Sequence, residues 1–184
     1  MGLRHPTLIF GAVGALAVAV IVVVVVNTGG DSRPEYPFPV QTFEDLGQEH
    51  LAAGQTYDLY NSNPPTSGPH APQPALWGVH DEPVPKEVLP HNMEHGGVVI
   101  AYDCAAGDAP LDDAQCQALR DQLAAVTESA VTDGKQVLMV PYANLEHHIT
   151  LAAWRTLDAF DQFDGERVQA FIAAFDRLFN PEGF

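Results

Sequence analysis

Eight prolines stand between Asn61 and Pro90, and they limit what the middle of this 184-residue chain can become. The stretch opens Asn63-Pro64-Pro65-Thr66-Ser67-Gly68-Pro69-His70 and continues through Pro72, Pro74, Gly78, Pro83, Pro85 and Pro90. Each proline removes a backbone donor and pushes its predecessor out of the helical region, so a regular helix is not expected anywhere along it. Tyr60, Trp77, His70 and His80 argue against a loose tail. A long loop that stays ordered usually serves a site or a lid. This loop is therefore expected to wrap a domain and deliver His70, with His80 as a weaker second donor, to the residues that follow.

Those residues are His91-Asn92-Met93-Glu94-His95-Gly96-Gly97. Two imidazoles, a thioether and a carboxylate fall within five positions. On a helix, His91 and His95 share a face with Glu94 beside them, the H-x-x-E-H order of a zinc peptidase. On an extended strand, His91, Met93 and His95 point to one side and form a mixed set that suits copper. Pro90 before and two glycines after disfavour a long helix, so the extended reading leads. It predicts a metal site of His70, His91, His95 and Met93, with copper as the ion and zinc as the alternative. Glu94 should then point away from the ion. Met139 is a conceivable further ligand, although its neighbours Val137, Leu138 and Val140 suggest sheet core. Two other readings stay open. In one, the histidines bond to loop carbonyls and pin the proline segment in a structural or interaction domain. In the other, the protein is a zinc-dependent hydrolase. No G-x-S-x-G elbow and no glycine-rich phosphate loop is present, and no catalytic residue is assigned.

Residues 8–26 carry no charge and would span roughly 28 Å as a helix, close to the thickness of a bilayer core. A single N-terminal transmembrane helix is expected there, with the N-terminus cytoplasmic and the rest outside. A cleaved signal peptide is the alternative. Domain bounds follow: an anchor at 1–30, a proline-rich linker at 31–42 and an exported domain at 43–184. Beyond the anchor, 24 acidic residues face seven Lys and Arg, a formal charge of −17. That balance argues against nucleic acid as a partner and suits cations or plain solubility. Cys104 and Cys116 are the only cysteines. In an exported domain an even pair reads as a disulfide, with paired thiolate metal ligands as the rival.

Periodicity supplies the elements. Gly97–Tyr102 and Gln136–Pro141 read as buried strands flanking a helix over 112–131, for which Asp112 and Gln115 resemble a capping box. Ile149–Trp154 is a third strand, antiparallel to the second, with a helical turn through Leu157 as its competitor. A last helix over 165–179 follows the cap Asp164, and Gln55–Tyr60 is a weak strand candidate. His147 and His148 read as a surface turn, and His50 as exposed. The fold class is α+β: the N-terminal transmembrane helix, then one domain with a small mixed sheet in β-α-β-β-α order under a long proline-rich loop.

The motifs Tyr60–His70 and His91–Val98, with Val140-Pro141-Tyr142 and Leu151-Ala152-Ala153-Trp154-Arg155, resemble a bacterial family catalogued as domain of unknown function 3105. The similarity runs from about Gln55 to Pro181. The resemblance implies single-span, exported proteins. It also implies leucine as the common residue where this chain has Met93, so Met93 is the least secure of the four ligands. It implies no activity.

Overall fold

A computed structural model describes residues 35–181, which form one compact unit. Six strands form one sheet in the order β1-β6-β5-β3-β4-β2. They are β1 (Gln41–Thr42), β2 (Gly78–Val79), β3 (Val98–Tyr102), β4 (Val137–Pro141), β5 (Ile149–Ala153) and β6 (Thr156–Phe160). Among the described residues three α-helices accompany them: α1 (Leu89–Glu94), α2 (Asp113–Thr132) and α3 (Gly165–Phe175).

The class is α+β, but the expected fold needs correction. The sheet is twice as wide as predicted, and α1 was not foreseen. The third predicted strand, β5, pairs antiparallel with β3 and not with β4. The outer edge of β4 is taken instead by β2, which comes from the proline-rich loop. β6 was missed because its hairpin with β5 turns through Trp154-Arg155, where Arg155 adopts a left-handed φ of 60° without the usual glycine. Gln55–Tyr60 forms no strand. Among the described residues no helix is long and apolar enough to cross a membrane. The predicted span at residues 8–26 lies outside the described residues.

The two faces of the sheet bury different partners, and period-2 alternation sorts the residues between them. On one face Val98, Ile100, Val137, Met139, Ile149 and Leu151 pack with Leu119 and Leu123 of α2 and with Val168, Phe171 and Ile172 of α3. On the other, Val99, Leu138, Val140, Ala152 and Leu157 pack with Leu89 and Met93 of α1 and with Ala75, Trp77 and Val84 of the loop. One face is thus covered by long helices and the other by α1 and the proline loop. Met93 and Met139 fill opposite sides of the sheet, and both are almost completely buried.

Helix α2 begins as its sequence suggests. The Asp112 carboxylate accepts from the Gln115 N–H, and the Gln115 side chain accepts from the Asp112 N–H. Asp164 caps α3 in the same manner by accepting from Arg167 N–H at 3.0 Å. The described part of the proline-rich N-terminal segment lies against the domain. Tyr36 meets the Phe171 ring edge-on at 5.3 Å, and its hydroxyl donates to the buried Asp158 carboxylate. Arg167 Nε donates to the same carboxylate at 2.7 Å.

Cys104, just after β3, and Cys116, in the first turn of α2, form a disulfide with Cα atoms 5.5 Å apart. Replacing both cysteines by Ser is expected to lower stability by about 2–4 kcal/mol, because the bond restricts a loop in the unfolded chain. Urea denaturation of the two forms measures the difference. A loss below about 0.5 kcal/mol would show that the linkage adds nothing beyond native packing.

Candidate metal centre

The residues expected to form an extended ligand strand are helical, and the reason is visible in the sequence. Pro90 stands in the first turn of α1, where a missing N–H costs nothing and the fixed φ favours the helix. A 3-10 turn at Lys86–Val88 leads into it. Gly96 then ends it: the Gly96 N–H donates to the Met93 carbonyl at 3.0 Å, with a left-handed φ of 86°. Two of the expected features are corrected by this short helix. Met93 points into the apolar cluster beneath the loop, away from the helix face that carries His91 and His95. Glu94 does not turn away. Its Oε2 lies 3.0 Å from His70 Nε2 and 4.0 Å from His50 Nε2.

Three imidazoles converge from separate parts of the chain. His50, His70 and His91 each offer a ring nitrogen, and these atoms lie within 4.8 Å of one another. His70 comes from the proline loop, as the motif suggested. His50 comes from the segment before it, paired backbone to backbone with His70 through Leu51 N–H to His70 O (2.7 Å) and His70 N–H to Glu49 O (2.9 Å). His95, the C-cap of α1, extends the group: its Nε2 lies 2.9 Å from His91 Nε2. His70, His91 and Glu94 are buried, whereas the His50 side chain is 47% exposed.

Hydrogen bonds set the tautomers. His70 Nδ1 lies 2.9 Å from the Gly68 carbonyl, and His91 Nδ1 lies 2.7 Å from the Ala71 carbonyl. A carbonyl oxygen can only accept, so both Nδ1 atoms carry the proton and both Nε2 atoms present a lone pair when the rings are neutral. A backbone carbonyl behind the ring is the arrangement that fixes histidine ligands in metal sites. Both carbonyls belong to Gly68-Pro69-His70-Ala71, so the proline motif orients two imidazoles at once. The His70 Nε2 lone pair faces a carboxylate oxygen, and the His91 Nε2 lone pair faces another imidazole nitrogen. The first contact calls for a proton or a cation, and the second closes as a hydrogen bond when His95 carries its proton on Nε2.

Asn92 anchors the arrangement. It is fully buried and exchanges two hydrogen bonds of 2.9 Å with the backbone of Ala75, tying α1 to the loop. His80 is not drawn into the cluster; its Nε2 bonds to the Leu76 carbonyl at 2.8 Å. His147 and His148 form no simple surface turn. His148 is buried, and His147 Nδ1 lies 3.1 Å from an Asp161 oxygen. Sequence reasoning missed Glu94 because it chose the strand over the helix. It missed His50 because Gln48-Glu49-His50 carries no local pattern, and only the pairing with His70 brings it in.

Burial lowers the His91 pKa from its ordinary 6.5; the Ala71 carbonyl opposes this, and the charges of His70, His95 and His50 add to it. The unfolded chain therefore takes up this proton at a higher pH than the folded one. The corresponding stability is fully present above pH 6.5 and is lost as pH falls from 6.5 towards the folded-state pKa. In metal-free protein, stability against urea is expected to decline over that window, with a shallower decline in His91→Gln. Equal slopes in the two proteins would contradict this.

Comparison with curated proteins gives no match, and comparison with solved structures gives none either. The family model described as Protein of unknown function (DUF3105) matches residues 50–183, a span that holds all five side chains of the cluster, and the chain belongs to that family.

Proposed function

We propose that this domain binds a divalent transition-metal ion between the proline loop and α1, with His70 and His91 as central ligands and with His50, His95 and Glu94 around them. One observation carries the reading: ring nitrogens of three imidazoles converge within 4.8 Å, beside a buried carboxylate. A proton can bridge His70 and Glu94, and His95 Nε2–H can donate to His91. Neither bond draws His50, His70 and His91 together, whereas a metal ion takes three or more such nitrogens at once. The copper expectation leaned on the soft Met93. With Met93 in the core, the donors are imidazole and carboxylate, which suit Zn2+ and Cu2+ alike. The Cys104–Cys116 disulfide supports maturation in an oxidising compartment, and so a role in handling metal outside the cytoplasm.

The test is metal analysis of the full chain purified without chelator, followed by titration of metal-stripped protein with Zn2+ and Cu2+. One bound ion per chain supports the proposal. No uptake of either ion at micromolar concentration would leave the histidines as a lock on the loop. A zinc-dependent hydrolase is the second reading, favoured by one finding, that His91-Asn92-Met93-Glu94-His95 is helical. It requires Glu94 to act on a metal-bound water. Zinc-dependent hydrolysis of peptide or ester substrates that disappears in Glu94→Gln would establish it.

A further inference from the structure

The five side chains differ sharply in their access to solvent. His70 is fully buried and Glu94 nearly so, His91 is buried, and His95 is only partly exposed. His50 alone presents about half of its side chain to water. Its ring also lies flat on the His91 ring, with centroids 5.1 Å apart and planes inclined by 9°. It meets the His70 ring edge-on at 4.9 Å. His50 therefore covers both central ligands while remaining free to turn outward.

We infer that His50 is the gate of the metal centre, the one ligand that swings aside to admit and release the ion; this rests on the metal-binding reading above. The backbone under His50 is held by its pairing with His70, so opening needs rotation of the side chain only. Exposed side chains rotate far faster than loops rearrange. The inner ligands are oriented by the Gly68 and Ala71 carbonyls and stay in place while the gate moves. An ion arriving from solvent reaches His70 and His91 only while His50 is turned out. An acceptor removing the ion can bind it while His50 is turned out, before the inner ligands let go.

A gate and an ordinary ligand differ in which rate constant they control. Losing an ordinary ligand speeds release and leaves association unchanged. Losing a gate speeds both. The experiment uses the full chain, metal-stripped, mixed rapidly with Co2+, whose visible absorption reports coordination; release is followed into excess EDTA. In His50→Ala, association should rise by about tenfold, since an obligatory opening step is gone, and release should also quicken. In His50→Phe, which keeps a cover but has no donor, association should fall below that of the unaltered protein. Association in His50→Ala within about twofold of the unaltered protein would overturn the gate while leaving the metal site standing. Complete loss of binding in His50→Ala would overturn it too, because His50 would then be an indispensable ligand and not a cover over a site that His70 and His91 hold. If the unaltered chain takes up no Co2+, Zn2+ or Cu2+, the metal reading itself fails and the gate with it.

Discussion

His70→Ala is expected to abolish metal-dependent stabilisation of this protein. An ion that binds only the folded state adds about 2.7 kcal/mol when its concentration is one hundred times the dissociation constant. For a domain of this size that corresponds to a rise of roughly 5–10 °C in melting temperature. His70 is the most deeply buried imidazole of the cluster, and its Nε2 is near both Glu94 and the other converging histidines. Removing it takes away the imidazole nearest the carboxylate and one of the three converging nitrogens. Glu94→Gln should also weaken uptake, by about ten- to a hundredfold, as a buried carboxylate beside a ligand both offsets the ion's charge and orients the imidazole. His80→Ala serves as a control, because His80 bonds to Leu76 and stands outside the cluster. Thermal melts of metal-free and metal-saturated proteins provide the measurement. If His70→Ala keeps the full metal-induced shift, the ion binds elsewhere.

Much of the framework was legible in the residues. The runs Gly97–Tyr102 and Gln136–Pro141, the Asp112 capping box and the Cys104–Cys116 pair correspond, to within one residue at the strand starts, to strands, a cap and a disulfide in the structure. The misreadings share a physical cause, in that tertiary contacts decided what local signals left balanced. Pro90 and Gly96 were weighed as helix breakers, yet a proline in the first turn and a left-handed glycine at the end are how a two-turn helix is bounded. The burial of Leu89 and Met93 against the sheet then settles the helix in a segment too short to hold one by itself. That one choice of backbone moved Met93 from ligand to core and turned Glu94 towards the site. His50 could not be found from any local pattern. Its role depends on a backbone pairing with a residue twenty positions away, and that pairing joins two segments of irregular backbone. β6 was obscured in a comparable way, its turn residue Arg155 being held in a left-handed conformation while its side chain donates to the Phe43 carbonyl at 2.9 Å.

The glycines after the histidines are as constrained as the histidines, and Gly97→Ala should be among the most damaging single substitutions in the described domain. A Cβ built at Gly97 would lie 2.4 Å from two ring carbons of Trp77 and 2.8 Å from the Asn92 carbonyl oxygen. The backbone near the ring is tied down, since Ala75, two residues earlier, is held by both polar atoms of the Asn92 side chain. The Asn92 carbonyl is itself fixed by accepting from the Gly97 N–H at 2.9 Å. Overpacking a well-ordered core costs about 1–3 kcal/mol, and a clash with both a packed indole ring and a fixed carbonyl belongs near the top of that range. The melting temperature of metal-free protein should fall by roughly 6–12 °C. The effect should also reach the metal, because displacing Trp77 shifts the loop against α1 and so moves His70 relative to His91. A double-mutant cycle isolates the cause. Trp77→Ala is destabilising by itself, but it removes the ring that the new methyl group would strike. Adding Gly97→Ala in that background should therefore cost at least about 1 kcal/mol less than it does in the unaltered protein. Equal costs in the two backgrounds would mean that the contact with Trp77 does not explain why glycine is needed at position 97.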